Sequence, residues 1–277
     1  MLRLLRERLL VSLAPAEVSW LRLGAGLKPR IVAKRTVEVD PAYGPESWQG
    51  AVAALRSETE TWRKDPVSVT IVLSNHFARY ALVPPSAGVS GMDEERALAR
   101  FHFAKVHGER CRAWDVRVGD TRVSAPQVAC AIDAGLLEAL RACFPREARP
   151  QLVSVQPYLM SAFNCWRRQF PKAGAWFLLV EAERACLALI AGRRWITVQN
   201  AKGSYHHPDE WVNLLDRERW RVNLEQVPDT VLVHTPLLAN APPPRAGDWK
   251  LLVTKAFWPP GISLPEDSRY TAALTAS

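Results

Sequence analysis

Residues 9–24 read LLVSLAPAEVSWLRLG, and the chain continues through RIVAKRTVEVD (30–40) into ESWQGAVAALRSETETWRKD (46–65). Aliphatic and β-branched residues alternate with polar ones between the punctuators Ala14-Pro15-Ala16 and Gly24-Ala25-Gly26. That pattern predicts three short strands, paired antiparallel, over residues 9–40. Asp40-Pro41 and Gly44-Pro45 then break the sheet, and Trp48, Val52, Leu55 and Trp62 recur at helical spacing, so a helix over 46–64 is expected to pack on it. The same order returns as AWFLLVEAERACLALIAG (175–192), RRWITVQN (193–200) and DEWVNLLDRERW (209–220). Two such cycles predict a duplicated α/β fold; the copies share the order of their elements rather than sequence identity.

The stretch between the cycles alternates strand and helix signals. VSVTIVLS (67–74) is a continuous β-branched run suited to a strand covered on both faces, and ARYALVPP (78–85) is a second extended piece. SAGVSG (86–91) reads as a flexible link to the helix MDEERALARFHFAKVHG (92–108), which has an acidic first turn and a stop at Gly108; Leu98, Phe101 and Val106 are its candidate core contacts. AWDVRVGD (113–120), VACAID (128–133) and LVSV (152–155) read as strands, and GLLEALRACF (135–144) and YLMSAFNCWRRQF (158–170) as helices. This alternation indicates a sheet with some parallel pairing and helices on its faces. Pro171 to Gly174 is the predicted boundary, giving a first lobe over 1–170 and a second, smaller lobe over 171–258. In the second lobe DTVLVHT (229–235) and WKLLVTKAF (249–257) are strands either side of the loop LLANAPPPRAG (237–247), and residues 259–277 read as a C-terminal tail.

Composition narrows the function classes. A chain of 277 residues with 48% hydrophobic and 23% charged residues is ordinary for a globular protein, and no window approaches the roughly 18 consecutive apolar residues of a bilayer span. The opening MLRLLRERLL threads charges through its leucines and lacks a small-residue cleavage site, so a soluble cytoplasmic protein is expected. Cys111, Cys130, Cys143, Cys165 and Cys186 are odd in number and never in a CxxC arrangement, which argues against a disulfide framework or a zinc site and predicts mostly buried structural thiols, Cys143 and Cys186 among apolar neighbours. The formal charge of +8, from 36 basic and 28 acidic residues, implies attraction to nucleic acid, a lipid surface or an acidic protein. The excess is spread over Lys34-Arg35, Arg167-Arg168, Arg193-Arg194 and the Arg217 to Arg221 segment and reads as a solvated basic surface, insufficient for a nucleic-acid assignment.

The constellations that could carry chemistry have simpler structural readings. Gly24-Ala25-Gly26 is followed by a strand, not a helix N-terminus, and reads as a tight turn instead of a phosphate loop. His206-His207 with Asp209 and Glu210 has metal-ligating residue types, but vicinal side chains diverge; a loop and a helix cap at Asp209 are expected. His76 after Ser74-Asn75 has neither a Ser-His-Asp order nor a GxSxG elbow beside it. Among the tryptophans, Trp176, Trp195 and Trp220 are expected to fill a core, whereas Trp249 and Trp258 are candidates for an exposed partner surface.

With these elements in place, the chain resembles the actin-like ATPase superfamily, and within it the PilM-type pilus assembly proteins and the cytoplasmic region of the type II secretion protein GspL. The likeness is carried by the two meanders (9–40 and 175–200), by VTIVLSNHFARYALVPP (69–85), and by LVSVQPYLMSAFN (152–164), which is similar to the segment joining the lobes in those proteins. It covers nearly the whole chain and implies a two-lobed actin-like (ribonuclease H-like) α/β fold, each lobe a mixed sheet with a β-meander and flanking helices, the second lobe reduced. Members that hydrolyse ATP place Asp-x-Gly in the first turn of each lobe and Gly-Gly near the adenosine. This chain has Ala14-Pro15-Ala16-Glu17 and Glu181-Ala182-Glu183-Arg184 at those turns. The resemblance therefore implies a non-catalytic cytoplasmic scaffold of a type IV pilus or type II secretion-like assembly, peripheral at the inner membrane. Its partners would be membrane-embedded assembly proteins, with the anionic membrane surface as a further candidate. No catalytic, cofactor-binding or metal residue is predicted, and no cofactor. The alternative is a divergent actin-like ATPase or sugar-kinase-type enzyme using carboxylates such as Asp133 or Glu181; nucleic-acid binding ranks third.

Overall fold

The computed structural model describes residues 6–44, 47–86, 91–119, 125–235, 247–254, 258–263 and 266–276. The expected link over 86–91 and the loop over 237–247 lie largely outside these residues. The chain forms two compact units, one from residues 1–77, 133–165 and 256–277, the other from 78–132 and 166–255. Neither is a continuous stretch of sequence: residues 78–132 belong with the second unit and 256–277 with the first, in place of a single division near residue 170.

In the first unit β1 (Arg8–Leu13), β2 (Glu17–Leu23) and β3 (Ile31–Glu38) form the antiparallel meander. β4 (Ser68–Leu73) pairs parallel with β1, and β8 (Gln151–Pro157) parallel with β4, giving the order β3-β2-β1-β4-β8. The helix predicted over 46–64 is α1 (Trp48–Trp62), started by Ser47, whose Oγ accepts the Gln49 N–H. Val52, Leu55 and Trp62 face inward as their spacing requires. Trp20 meets Trp62 edge to face at 5.2 Å, and its Nε1–H donates to the buried Glu58 Oε2 at 2.8 Å. Arg35 reaches the same carboxylate at 3.4 Å.

Of the stretch expected as a tail, the described residues 266–276 pack on the first unit. A short helix, Thr271–Leu274, buries Ala273 and Leu274 against Leu10, Leu21 and Leu23. Thr275 Oγ1 lies 2.7 Å from Ser161 Oγ, and Lys34 Nζ donates to Asp267 Oδ1 at 2.5 Å. Burial pulls the Asp267 carboxyl upward, but Lys34 and the Ser263 N–H outweigh it and hold the group below the usual carboxylate range. Pro259, Pro260 and a polar run disguise the segment in sequence, because its fully buried residues, Ala273 and Leu274, lie at its far end.

The second unit repeats the topology. β9 (Ala175–Glu181), β10 (Arg184–Ala191) and β11 (Arg194–Lys202) form an antiparallel meander; β12 (Thr230–His234) and β13 (Lys250–Val253) add in parallel, giving β11-β10-β9-β12-β13. The two five-stranded sheets therefore share one strand order, three strands of meander and then two parallel neighbours. Helix α5 (Pro208–Arg219) packs Trp211, Leu214 and Leu215 on this sheet beside Trp176, Leu187 and Val231. Gly174, at φ +107°, opens β9 where a Cβ would sit 2.7 Å from the Ile190 carbonyl oxygen, so no other residue fits that approach.

The same unit holds a three-stranded sheet, β5 (Ala78–Val83), β7 (Gln127–Asp133) and β6 (Trp114–Val118) in the order β5-β7-β6, covered by α2 (Met92–His107). The face α2 buries differs from the expected one: Ala99 and Phe103 enter the core with Leu98 packed beside them, whereas Phe101 and Val106 are exposed. Both faces of this helix carry apolar residues at helical spacing, and Phe103 follows Ala99 by four where Phe101 does not. Cys111, Cys130 and Cys186 are buried; Cys143 is only half-buried and Cys165 is exposed.

Candidate functional site

The resemblance noted in the sequence implies that a nucleotide's phosphates and magnesium would be held at the turns that open each meander, and the chemistry of these turns bears on that implication. Between β1 and β2, Ala14 donates its N–H to the Glu17 carbonyl at 3.0 Å, and Pro15 has no N–H to give. A phosphate cradle needs several convergent N–H groups. Glu17, the carboxylate of this turn, is engaged inside its own unit: burial raises its pKa, the neighbouring Glu38 adds to that, and Arg269, 3.7 Å away, opposes it.

The second turn is a tight hairpin in which Glu181 pairs with Arg184 across Ala182 and Glu183. Glu183 sits at φ +56°, a left-handed conformation that a non-glycine residue adopts at a cost. Arg184 is only 5% exposed. Its Nη1 donates to Asn200 Oδ1 at 3.3 Å, and Asn200 Nδ2 donates to the Ala78 carbonyl at 2.9 Å. A buried guanidinium at this turn opposes a magnesium ion, and neither turn presents the short carboxylate and adjoining glycine that would hold one. The residues present do not fit a magnesium-nucleotide. Beside them the Cys186 thiol is pushed up, by burial first and by Glu181 in addition, which leaves it protonated and inert.

The other sequence candidates resolve into local structure. Ser74 Oγ accepts the His76 N–H at 3.2 Å and lies 2.9 Å from His76 Nδ1, so the hydroxyl serves the turn after β4. The buried Asn75 accepts the Leu159 N–H at 3.3 Å with Oδ1, fixing the start of α4 (Tyr158–Trp166). Asp133 caps α3 (Ala134–Cys143), accepting the Gly135 N–H at 2.8 Å, and belongs to a different unit from Glu181. Glu210, not Asp209, makes the bond at the start of α5: its Oε2 accepts the His207 N–H at 3.0 Å, which lowers its pKa. Among the described residues no group of three or more His, Cys, Asp or Glu could hold a metal ion.

The tryptophans differ most from expectation. Trp176 and Trp195 are buried as expected, but Trp220 is 90% exposed, and Trp249, a candidate for a partner surface, is buried. On α5 the inward positions are 211, 214, 215 and 218, so residue 220 falls on the outer face. Trp249 packs edge to face on Trp176 at 6.1 Å and donates its Nε1–H to Asp216 Oδ1 at 2.8 Å. Trp258 is half-buried beside the Leu10, Leu21 and Leu23 cluster.

No family model matches the sequence, and no curated protein matches it. Solved structures do match. The chain is similar to the cytoplasmic domain of EpsL, an inner membrane component of the type II secretion system of Vibrio cholerae, at 16% identity and TM-score 0.56, covering 98% of this chain and 96% of that one. It is similar to a chain of the PilM-PilN type IV pilus biogenesis complex at 16% identity and TM-score 0.62, over 97% and 96% of the two chains. A third match, a Bacteroides thetaiotaomicron protein with an actin-like ATPase fold, has 10% identity and TM-score 0.57 over 84% of each chain. With two sheets of one strand order, each a meander extended by parallel strands, and these matches along its length, the chain has the actin-like ATPase fold.

Proposed function

We propose that this chain is a non-catalytic cytoplasmic scaffold of a type IV pilus or type II secretion-like assembly, peripheral at the inner membrane and bound to membrane-embedded partners. The observation that carries the reading is the contrast between an actin-like framework and two meander turns whose residues do not fit a magnesium-nucleotide. Near-complete mutual coverage with the EpsL cytoplasmic domain and a chain of the PilM-PilN complex supports the type of assembly. Calorimetric titration with Mg-ATP tests the non-catalytic half: no saturable heat is expected up to millimolar nucleotide. Micromolar binding would put the divergent ATPase or sugar-kinase-type reading first. In-cell crosslinking followed by membrane fractionation tests the other half. Protein adducts in the inner-membrane fraction are expected, and a chain that yields none and stays wholly in the soluble fraction would refute the scaffold.

A further inference from the structure

Trp220 directly follows the last residue of α5 and is the most exposed of the large apolar side chains among the described residues. The groups around it are ordered. Glu218 is 1% exposed, and its Oε1 accepts Arg221 Nη1 at 2.9 Å and Arg217 Nε at 3.3 Å. Asp216 is engaged by the Trp249 indole N–H, and Arg219 lies over the Trp249 ring, 5.3 Å from its centroid. Glu218 is thus buried and Asp216, though exposed, is engaged by the Trp249 indole, while three guanidinium groups flank a free-standing Trp220 indole. The side chains of Arg217 and Arg221 remain more than half exposed, and each guanidinium has five N–H groups, so donors are left for an outside acceptor. The acidic residues Asp209 and Glu210 stand at the opposite end of the helix, about 15 Å away along α5.

We propose that the C-terminal end of α5 is a docking surface for an anionic bilayer, with the Trp220 indole at headgroup depth and Arg217, Arg219 and Arg221 on lipid phosphates. An indole is amphipathic and settles at the membrane–water boundary, and guanidinium groups match phosphate oxygens with paired donors. The chain's formal charge of +8 favours approach to such a surface. The buried Glu218 gives the arrangement its order: it fixes two arginines beside the tryptophan, so the surface is set before contact. The proposal rests on the inner-membrane placement proposed above and assigns it to particular residues.

The test is co-sedimentation of the full chain with vesicles of phosphatidylglycerol and phosphatidylcholine, against vesicles of phosphatidylcholine alone. The wild-type chain should bind the anionic vesicles and be released by salt; Trp220→Ser should weaken binding roughly tenfold, with Trp220→Phe between the two. Brominated acyl chains should quench wild-type emission more than that of Trp220→Phe. Because residue 220 stands in solvent, the melting temperature of Trp220→Ser should be unchanged, which separates lost docking from lost folding. Undiminished binding by Trp220→Ser would place the contact elsewhere, and absence of wild-type binding would overturn the surface altogether; in both cases the scaffold reading would still stand on its crosslinks. Loss of protein crosslinks by Trp220→Ser, with vesicle binding intact, would make this a protein interface and overturn the lipid assignment.

Discussion

His234 closes β12 inside the second unit, with its imidazole 4.2 Å from the Trp166 ring and its Nδ1 3.4 Å from Thr254 Oγ1. Burial lowers its pKa to about 3. An unfolded-state histidine titrates near pH 6.5, so between about pH 6.5 and 3 the unfolded chain carries a proton here that the folded chain does not. Stability from this residue is complete above pH 6.5 and falls as pH drops toward the folded value. At about 1.4 kcal/mol per pH unit, the loss between pH 7.5 and pH 5 is about 2 kcal/mol. His234→Phe retains an aromatic ring against Trp166 and removes the titration. Urea unfolding of both proteins at the two pH values measures the difference: the wild type should lose about 2 kcal/mol more than the variant. Parallel losses, within about 0.5 kcal/mol of each other, would show that His234 does not stay neutral in the fold and would refute the argument.

Two further outcomes follow from packing. Leu274→Ala should destabilise the first unit by about 2–5 kcal/mol, read as a lower urea midpoint, because Leu274 is fully enclosed by Leu10, Leu21 and Leu23; a midpoint unchanged from wild type would mean the C-terminal helix is not part of that core. Trp249→Ala should cost about 3–5 kcal/mol while Trp220→Ala leaves the melting temperature where it is, and the reverse order would invert the burial of the two rings.

The two meanders and α1 were legible in the sequence because strand alternation, Pro and Gly breaks and the spacing of Val52, Leu55 and Trp62 are local signals that the tertiary structure reinforces. The positions of the two opening turns were legible too, at Ala14-Pro15-Ala16 and between Glu181 and Arg184. Burial of single aromatics was not. Trp220 lies one residue past a helix whose inward face is set by Trp211, Leu214 and Leu215, and its phase on that helix, rather than its hydrophobicity, puts it in water. Trp249 is buried by Trp176, more than seventy residues earlier in the chain, a contact that no local pattern encodes. The composition of the units was hidden for the same reason: strand pairing shows in short-range pattern, but which unit residues 78–132 and 256–277 join depends on long-range contacts.

The closure of the first unit by residues 271–276 has a consequence for synthesis. At 5–20 residues per second the 248 residues from Leu23 to Thr271 take roughly 12–50 s to make, and the first meander waits that long for the segment that covers it. Until then the face formed by Leu10, Leu21 and Leu23 lacks its cover, and the nascent chain offers an apolar surface to whatever it meets. A chain released before residues 271–276 are made keeps that face bare, so the integrity of these strands depends on a segment about 250 residues further along.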